Sequence, residues 1–311
     1  MNPENIAYID VGIIPSLDRF KDILLMLDYK IVFLDEVTTL NEWWRVLRAC
    51  IDSGFFKDKV LVVTGSASMR LRKHAELFPG RLGKGKYIEV LPLSFPELIN
   101  ILYNGKRIST KDLKKAFEIY KSFGGYPISL NRRKDAIADI IRSFEGEISK
   151  QGMSVEISFK IISSLLEKIP SALSYQSIGG DIGVSYKTVE VYVEAFKSLY
   201  LANVAYWKHD KKVSFRKEKK IFFRDPFILH SFSFWTGTRF LESALYENII
   251  QEHLYRKYGE IYYYKNKYEI DAIAGDLRVE VKAGKPHRRY PKNVIVLGEE
   301  EIPRFLLQLF K

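Results

Sequence analysis

The sequence predicts an α/β protein with several domains, and three observations predict this class. The chain has 311 residues, which is more than one compact domain usually contains. Its first third alternates short apolar runs with helical patterns, as in a parallel sheet covered by helices. Beyond a helical middle region, short strands return near the C-terminus. We therefore predict an incomplete parallel sheet, a helical lid, a winged helix-turn-helix and a C-terminal α/β domain, over residues 1–98, 99–152, 153–225 and 226–311.

The four strands predicted in the first third are residues 6–11, 30–37, 59–65 and 86–93. Each run is apolar and rich in β-branched residues, which is typical of parallel strands that are buried on both faces. The sheet should therefore place polar residues at the carboxyl ends of its strands, where ligands bind in such folds.

The second run ends in a pattern that is typical of a nucleotide-binding strand. Four apolar residues, 31–34, are followed by Asp35 and Glu36, which is a Walker B pattern. In this role Asp35 would hold Mg²⁺ directly or through water, and Glu36 would polarise the attacking water. The alternative is an ordinary buried strand that ends in an acidic turn.

The motifs that follow resemble one ATPase family. A small polar segment contains Thr64 and Ser66, a Gly-Arg pair ends at Arg81, and residues 92–98 begin Pro-Leu-Ser-Phe. In this order they resemble the AAA-like ATPases of archaea and bacteria that carry a C-terminal domain of uncharacterised role. The resemblance implies that Thr64 and Ser66 reach a γ-phosphate and that Arg81 senses the phosphates. The alternative for Arg81 is a solvated loop residue.

The resemblance also implies a glycine-rich phosphate-binding loop that ends in Gly-Lys-Ser/Thr. Residues 80–87 have glycines and a lysine, but Tyr87 replaces the Ser/Thr and the segment leads into a predicted strand. Phosphate binds at a helix N-terminus, so this window is rejected. We therefore expect weak ATP binding and no ATP hydrolysis by the chain alone. A degenerate protein and a truncated reading frame both remain open, and the open sheet edges favour self-association or a partner chain.

The middle of the chain is predicted to be helical and then to form a winged helix. A Gly-Gly-Tyr-Pro turn at residues 124–127 resembles the lid of these ATPases, although an ordinary inter-helix turn fits equally well. Residues 153–225 show helix, turn, helix and β-wing, and Ser185 is the predicted N-cap of the recognition helix. Tyr186 and Lys187 would then meet DNA. Basic residues of the wing would contact phosphates: Lys208, Lys211, Lys212, Arg216, Lys217, Lys219 and Lys220.

Two acidic residues oppose this DNA-binding interpretation. Glu190 and Glu194 lie on the polar face of the same helix and would repel phosphate. The alternative is therefore a winged helix that serves only in packing between domains. Charge favours DNA, because the net charge is +11 and the isoelectric point is near 9.4. A basic surface of the kind found in thermophiles explains the same numbers.

The C-terminal domain carries a pattern similar to the core of PD-(D/E)XK nucleases. Glu247 lies on a predicted helix, Asp271 on one strand of a hairpin, and Glu280 and Lys282 on the other. Asp271 and Glu280 would share a Mg²⁺, Lys282 would activate water or balance phosphate charge, and Glu247 would bind metal or orient Lys282. The alternatives are a charged hairpin with a Glu280–Lys282 ion pair, or a nuclease fold without activity.

Composition excludes several other classes. Cys50 is the only cysteine, so an intrachain disulfide and a cysteine-rich zinc site are excluded, and the five histidines show no ligand spacing. Without an apolar run of about 18 residues or a secretory signal, we predict a cytoplasmic protein with no membrane partner. The predicted function is a DNA-associated protein of the ATPase family with a defective nucleotide site. The alternatives are a Mg²⁺-dependent DNA endonuclease and a non-catalytic interaction protein.

Overall fold

The computed structural model describes residues 3–65, 81, 85–266, 268–282 and 290–310, and it confirms the predicted α/β class. The chain divides into two compact units, Met1–Glu89 and Val90–Lys311. Each unit has its own hydrophobic core. Among the described residues, no helix is long and apolar enough to cross a bilayer.

The first unit is a parallel sheet of three strands in the order β1-β2-β3 within the described part of the chain. Asp10 pairs with Asp35, and Leu34 pairs with Val63, so the carboxyl ends of the strands lie along one edge. The elements follow in the order β1 (Ile6–Asp10), α1 (Leu17–Leu25), β2 (Ile31–Asp35), α2 (Trp43–Asp52) and β3 (Val60–Val63).

Apolar burial explains why this small sheet forms. Val32 and Leu34 of β2 are fully buried, and Phe20 of α1 and Leu47 of α2 pack in the same core. Full burial of such a side chain contributes about 1.5–3 kcal/mol. The predicted strands are therefore confirmed as β1, β2 and β3. The prediction that they are buried on both faces is wrong, because Tyr8 of β1 and Val60 of β3 are largely exposed.

The fourth predicted strand, residues 86–93, is wrong. Residues 85–94 have no regular secondary structure, and Tyr87, Ile88 and Val90 are largely exposed to solvent. A strand needs a hydrogen-bonded neighbour, and none pairs with this segment among the described residues. Ser66 and half of the glycine-rich window, residues 80 and 82–84, lie outside the described residues.

The second unit begins with the helices that the sequence predicts for residues 111–150. Ser94 and Glu97 form a reciprocal capping box that starts the first of these helices. The Gly-Gly-Tyr-Pro segment joins the second helix to the third. The helices are α3 (Phe95–Tyr103), α4 (Thr110–Phe123), α5 (Pro127–Leu130) and α6 (Ala136–Lys150).

The two glycines of that turn are required by close packing. A Cβ on Gly125 would lie 1.9 Å from the carbonyl oxygen of Leu93. The Gly125 N–H donates to the Asp225 carboxylate at 2.9 Å, and burial raises the pKa of Asp225 to about 7. The Arg256 guanidinium donates to the carbonyl of Pro92 at 2.6 Å. One buried junction therefore joins three segments that are distant in sequence, around Leu93, Gly125 and Asp225. The lid function of the turn stays a prediction.

Next come the predicted winged-helix elements. Ser185 accepts a hydrogen bond from the Thr188 N–H at 3.1 Å, so the predicted N-cap is confirmed. The elements are α7 (Val155–Lys168), α8 (Tyr175–Ile182), α9 (Tyr186–Ser198), β4 (Ala202–His209), β5 (Lys212–Ser214) and β6 (Lys220–Phe223).

The C-terminal elements extend the same sheet. They are α10 (Pro226–Thr236), α11 (Glu242–Tyr258), β7 (Tyr262–Lys265), β8 (Glu269–Ala274), β9 (Leu277–Lys282), β10 (Ile295–Gly298) and α12 (Ile302–Leu309). In the described part of the chain, seven strands form one sheet in the order β10-β9-β8-β7-β4-β5, with β6 also paired to β4. The predicted hairpin of β8 and β9 is confirmed.

Strand β4 therefore belongs both to the wing and to the C-terminal sheet. It pairs with β5 and β6 in antiparallel fashion and with β7 in parallel. A single hydrophobic core runs from Phe95 to Leu309. The boundaries predicted at residues 152 and 225 lie inside this one compact unit, and the finer division into domains stays a prediction.

Candidate functional site

Asp35, the predicted Walker B aspartate, ends β2 and is held by hydroxyl groups from both neighbouring strands. The hydroxyl of Thr64 donates to Oδ1 of Asp35, and the hydroxyl of Tyr8 donates to Oδ2. The Glu36 N–H donates to Oδ1 at 3.1 Å. The hydrogen bond from Thr64, followed by that from Tyr8, lowers the pKa of Asp35, so this carboxylate is ionised at neutral pH. The structure thus brings together the predicted Asp35 and Thr64.

Glu36 adopts an unusual backbone conformation directly after the strand. Its φ is +52°, a left-handed conformation that costs a residue with a Cβ roughly 1–3 kcal/mol. Two backbone hydrogen bonds fix the surrounding geometry: Thr64 N–H donates to Leu34 O at 2.9 Å, and Val37 N–H donates to Thr64 O at 3.1 Å. The acids therefore leave the sheet at its carboxyl edge, which is where the sequence predicts them.

This edge has donors that suit Mg²⁺. Carboxylate and hydroxyl oxygens are the ligands that hard divalent cations prefer, and Asp35 and Thr64 supply both. Oδ2 of Asp35 accepts one hydrogen bond, from Tyr8, and keeps a second lone pair for a cation, whereas Oδ1 already accepts from both Thr64 and Glu36. The residues at this edge therefore fit the predicted role of holding Mg²⁺ beside a nucleotide.

Arg81, the predicted phosphate sensor, makes a bidentate ion pair with Asp52. The Nε–Oδ1 distance is 2.5 Å, and the Nη2–Oδ2 distance is 3.0 Å. Asp52 is the last residue of α2. The chain runs from Asp35, the last residue of β2, to the beginning of that helix, so Arg81 pairs at the opposite end of the helix. The sensing role of Arg81 stays a prediction.

A second group of charges is buried in the C-terminal sheet, around the ammonium of Lys220. Its Nζ lies 2.9 Å from the Glu247 carboxylate and 3.0 Å from that of Glu269, and it also pairs with Asp271. Burial by itself would lower the pKa of Lys220, but the charges of Asp271, Glu247 and Glu269 outweigh it and raise that pKa well above the ordinary value. The prediction that Lys220 contacts phosphate from the wing surface is wrong, because the residue is only 2% exposed.

Glu280 forms a neighbouring group with Lys282 and Tyr290. Its Oε1 pairs with the Lys282 ammonium and accepts a hydrogen bond from the Tyr290 hydroxyl at 2.9 Å. Its Oε2 is buried and has no hydrogen-bond partner among the described atoms. Burial, and next the charge of Asp271, raise the pKa of Glu280 to about 7. A carboxyl with this pKa exchanges protons near neutral pH.

Asp271 links the two groups of charges. Its Oδ1 pairs with Lys220, while its Oδ2 accepts the Val281 N–H at 2.9 Å. Val279 and Val281 pack into the main core, so the alternation of β9 places Glu280 and Lys282 on the opposite face of the sheet. The predicted constellation is therefore divided: Glu247 and Asp271 surround Lys220, and Glu280 and Lys282 form an ion pair.

A β-bulge accompanies the position of Asp271. Tyr264 pairs with Ile270, but Tyr262 pairs with Ile273, so β8 has one residue more than β7 over this stretch. Bulges re-aim side chains and occur often beside functional sites. Here the extra residue falls in the segment that contains Asp271.

The charges in this sheet do not fit a Mg²⁺ shared by Asp271 and Glu280. Both oxygens of Asp271 already have partners, and Lys220 supplies the positive charge between Asp271 and Glu247. Across the described residues, no group of three or more His, Cys, Asp or Glu side chains could hold a metal ion. The described residues therefore do not support the predicted role of Asp271 and Glu280 as joint ligands of Mg²⁺.

The predicted DNA-contacting residues lie mostly on the surface. Tyr186 is 52% exposed, and Lys187 beside it is also exposed, as is Glu190. In the wing, Lys211, Lys212 and Lys217 are exposed, whereas Lys208 is half-buried. The ammonium of Lys208 lies 4.3 Å from the ring centroid of Tyr262, and that of Lys217 lies 3.4 Å from that of Trp207. These cations remain predicted contacts to phosphate.

Sequence reasoning missed three members of the C-terminal groups: the role of Lys220 as the central cation, Glu269 and Tyr290. One signal for Lys220 was available, because Lys220 and Phe222 have the spacing of one strand face in an apolar strand. This signal was overlooked because the basic residues around Lys220 indicated a surface position. No comparable signal marks Tyr290, which reaches Glu280 from outside the regular strands.

Comparisons with known proteins show first what the N-terminal part of the chain is similar to. Residues 1–99 match the sequence model of the AAA domain, so this part of the chain is similar to that class of ATPase. Residues 114–239 match a domain of unknown function, and that match extends across both predicted boundaries at 152 and 225. An uncharacterized protein of Methanocaldococcus jannaschii is 23% identical over an alignment of 303 positions, and the match covers 88% of this chain. The match spans 65% of that relative's length.

Proposed function

We propose that this chain is a DNA-associated protein of the AAA ATPase type, and that its N-terminal unit supplies the Mg²⁺-facing half of an ATP site. One observation carries the proposal: Asp35 and Thr64 meet at the carboxyl edge of a parallel sheet whose sequence matches the AAA domain. Ligands bind at this edge in open parallel sheets.

The residues of this edge have distinct roles in the proposal. Asp35 is ionised and holds the cation, and Thr64 points its hydroxyl at the same place. Glu36 follows Asp35 in a strained conformation and orients the water. Mg²⁺ with ATP supplies, when bound, the electrophilic phosphorus and the charge that stabilises the leaving group.

A phosphate-binding loop completes the site from outside these 311 residues. The printed sequence contains no Gly-Lys-Ser/Thr segment, and such a segment grips the phosphates in P-loop proteins. In the described part of the chain β3 pairs with β2 alone, and Val60 at its start is 57% exposed. This edge is the place where a further strand, and with it a loop, would join the sheet.

Paramagnetic NMR and calorimetry test the nucleotide site. Mn²⁺, a substitute for Mg²⁺, should broaden the methyl signal of Thr64, and Asp35→Asn should abolish the effect. Asp52→Asn is the matched control, because Asp52 is an exposed carboxylate of the same unit that pairs with Arg81. Equal broadening in wild type and Asp35→Asn contradicts the assignment.

Calorimetry of the 311-residue chain with ATP and Mg²⁺ then tests the origin of the loop. We expect a Kd weaker than about 1 mM, because a cation site without a phosphate cradle binds triphosphate poorly. Micromolar binding that Asp35→Asn abolishes would keep the ATP site but would place the loop inside this chain. Micromolar binding that Asp35→Asn leaves unchanged would contradict the proposed site.

DNA association is supported by the charge of +11 and by the exposed Tyr186 and Lys187 at the start of α9. We expect duplex binding to weaken with salt, and Lys187→Ala to reduce the slope of log Kd against log salt by about 0.9, the value for one phosphate contact. Lys160→Ala is the control, because Lys160 is exposed on α7 and pairs with Glu156. Duplex binding that does not depend on salt would contradict DNA association and favour an interaction protein.

DNA cleavage is a second candidate function, and the orphan oxygen of Glu280 favours it. Glu280 has a pKa of about 7, its buried Oε2 has no hydrogen-bond partner among the residues that the structure describes, and Lys282 beside it supplies a positive charge. Such a pair suits a general base next to a phosphate. Supercoiled plasmid should be nicked by wild type and by Glu300→Gln, whose carboxylate is exposed, but not by Glu280→Gln. The same nicking rate in Glu280→Gln would exclude this site.

A further inference from the structure

Four aromatic rings form a row on one face of the seven-stranded sheet. We call them the aromatic row: Trp207 and His209 of β4, Tyr264 of β7, and Tyr268. The rings of His209 and Tyr264 are near-parallel, with centroids 5.0 Å apart and an interplanar angle of 25°. Trp207 and His209 are also stacked at 6.0 Å, and Tyr264 and Tyr268 are 5.2 Å apart.

The aromatic row belongs to a small cluster apart from the main core, although Trp207 also packs against the edge of that core. Tyr263 packs in the main core, whereas Tyr264 belongs to a separate small cluster with Ile270 and Ile273. Glu280 lies on the same face as this cluster, because its neighbours Val279 and Val281 pack in the main core. One face of one sheet therefore carries both the aromatic row and the Glu280–Lys282 pair.

The row is more open than packing alone requires. The side chain of His209 is 54% exposed although its ring stacks on two others. Cross-strand aromatic pairs do stabilise sheets, but a buried position serves that purpose better than an open one. The centroids of Trp207 and Tyr264 are themselves 5.9 Å apart, so the imidazole lies beside this pair of rings and keeps more than half of its surface open to solvent.

Cations border this surface. The ammonium of Lys217 lies 3.4 Å from the centroid of the Trp207 ring, and Lys211, Lys212 and Lys265 are exposed near the ends of β4 and β7. Aromatic rings for bases, flanked by lysines for the backbone, are the two features with which proteins bind single-stranded nucleic acid. Duplex DNA does not need such rings, because its bases are stacked on one another.

We infer that the aromatic row is a binding site for single-stranded DNA, in which unpaired bases stack on His209 and Trp207 and the lysines contact the phosphates. The inference rests on the proposed association with DNA and adds that the substrate contains unpaired bases. It differs from the predicted duplex contacts of Tyr186 and Lys187, which lie at the start of α9.

The sheet sets the direction of a bound strand. From β4 to β9 the order is β4-β7-β8-β9, so three strand spacings, about 14 Å, separate β4, which carries Trp207 and His209, from the strand of Glu280. A strand whose bases stack on the row can therefore extend across the same face toward the Glu280–Lys282 pair. This arrangement would present an unpaired strand, rather than a duplex, to that pair.

Fluorescence anisotropy with a labelled 15-mer of dT, a duplex of the same length and a 15-mer of rU tests the inference in buffer with EDTA. Wild type should bind the single-stranded DNA. His209→Ala, and separately Trp207→Leu, should weaken that binding by about 5- to 150-fold, the range for loss of one base stack, and leave duplex binding unchanged. Lys187→Ala should weaken duplex binding alone.

Phe215→Ala is the matched control. Phe215 is an exposed aromatic residue that packs on Tyr206, which faces the other side of β4. Circular dichroism verifies that each variant is folded, and the exposed His209→Ala keeps the test valid if Trp207→Leu does not fold. Single-stranded binding that is the same in His209→Ala as in wild type, or as weak in Phe215→Ala as in the row variants, overturns the inference.

Two further outcomes separate this inference from the proposed function. Tighter binding of rU than of dT overturns the commitment to DNA. Binding of dT that depends on the row, together with a plasmid that stays intact, removes the cleavage candidate and leaves the inference standing. Plasmid nicking and duplex binding without any single-stranded binding would overturn the inference and leave the cleavage candidate standing.

Discussion

Asp35 and Glu280 are both acidic side chains near the carboxyl ends of strands, yet their environments shift their pKa values in opposite directions. Asp35 is partly exposed, and hydrogen bonds from Thr64 and Tyr8 lower its pKa. Glu280 is fully buried, and burial raises its pKa to about 7 even though Lys282 pairs with it. The position of an acid in a strand therefore does not determine its pKa, because desolvation and local hydrogen-bond donors do.

The two regions also differ in how their charges are balanced. Asp35 takes neutral hydroxyl donors and leaves its negative charge for an external cation. The buried group around Lys220 instead contains its own cation. The first region is therefore suited to a ligand with positive charge, and the second is partly neutralised within the fold.

The largest expected effect comes from removing that internal cation. Lys220→Met leaves Glu247, Glu269 and Asp271 close together in a buried place without a positive charge. Loss of one partner of a buried ion pair costs about 3–5 kcal/mol, so the free energy of unfolding in urea should fall by that amount. In Lys219→Met, the control, the lost ammonium lies over the Tyr175 ring, and we expect less than about 1 kcal/mol. Equal stability of both variants would show that the cluster is not buried as described.

The next effect is a dependence of stability on pH. Glu280 has a pKa of about 7 in the folded protein, against about 4.3 when unfolded, so the folded state binds more protons between these values. The free energy of unfolding should therefore fall as pH rises from 4.5 to 7, by on the order of 2–3 kcal/mol for this residue. Asp225, whose pKa is also about 7, acts in the same direction. Urea titrations at several pH values should show a weaker dependence in Glu280→Gln, and an unchanged dependence would contradict the raised pKa.

A smaller effect tests how Asp271 influences Glu280. The charge of Asp271 raises the pKa of Glu280, after burial itself. Asp271→Asn should therefore lower the pKa of Glu280 below about 7, as measured by NMR titration of the Glu280 carboxyl carbon. Glu269→Gln is the control, because Glu269 pairs with Lys220 and should shift Glu280 less. If the two variants leave the same pKa, Asp271 does not link the two groups.

The smallest effect belongs to the exposed site. Asp35→Asn weakens hydrogen bonds from Thr64 and Tyr8 at the surface, so the free energy of unfolding should change by less than about 1 kcal/mol. Tyr8→Phe, which removes one of the two hydroxyl donors, should have a similar small effect. A loss as large as that expected for Lys220→Met would mean that Asp35 has a structural role, and the contrast between the two regions would be lost.

Much of the fold was predictable because burial patterns are local. The apolar runs gave β1, β2 and β3, and the Ser185 cap and the hairpin of β8 and β9 follow from short-range signals. The strand predicted at 86–93 failed because a strand depends on a neighbour, which the local sequence does not specify.

The candidate sites were predictable as residues but not as arrangements. Asp35 and Thr64 meet because parallel register brings adjacent strand ends together, and the sequence contains that register implicitly. Lys220 reaches Asp271 across 51 positions of the chain, and Tyr290 reaches Glu280 from a segment without regular structure. Such pairings depend on tertiary contacts, which charge patterns in one sequence do not reveal.

The double membership of β4 has a practical consequence for dissecting the molecule. A fragment that ends at residue 225 would keep β4, β5 and β6 but would strip β7 from one side of β4, and so expose a hydrogen-bonding edge that is covered in the whole chain. Such fragments should aggregate even when every wing residue is present. Expression trials that aim at an isolated wing therefore need a cut no earlier than the end of β10, so that every strand of the shared sheet keeps its neighbours.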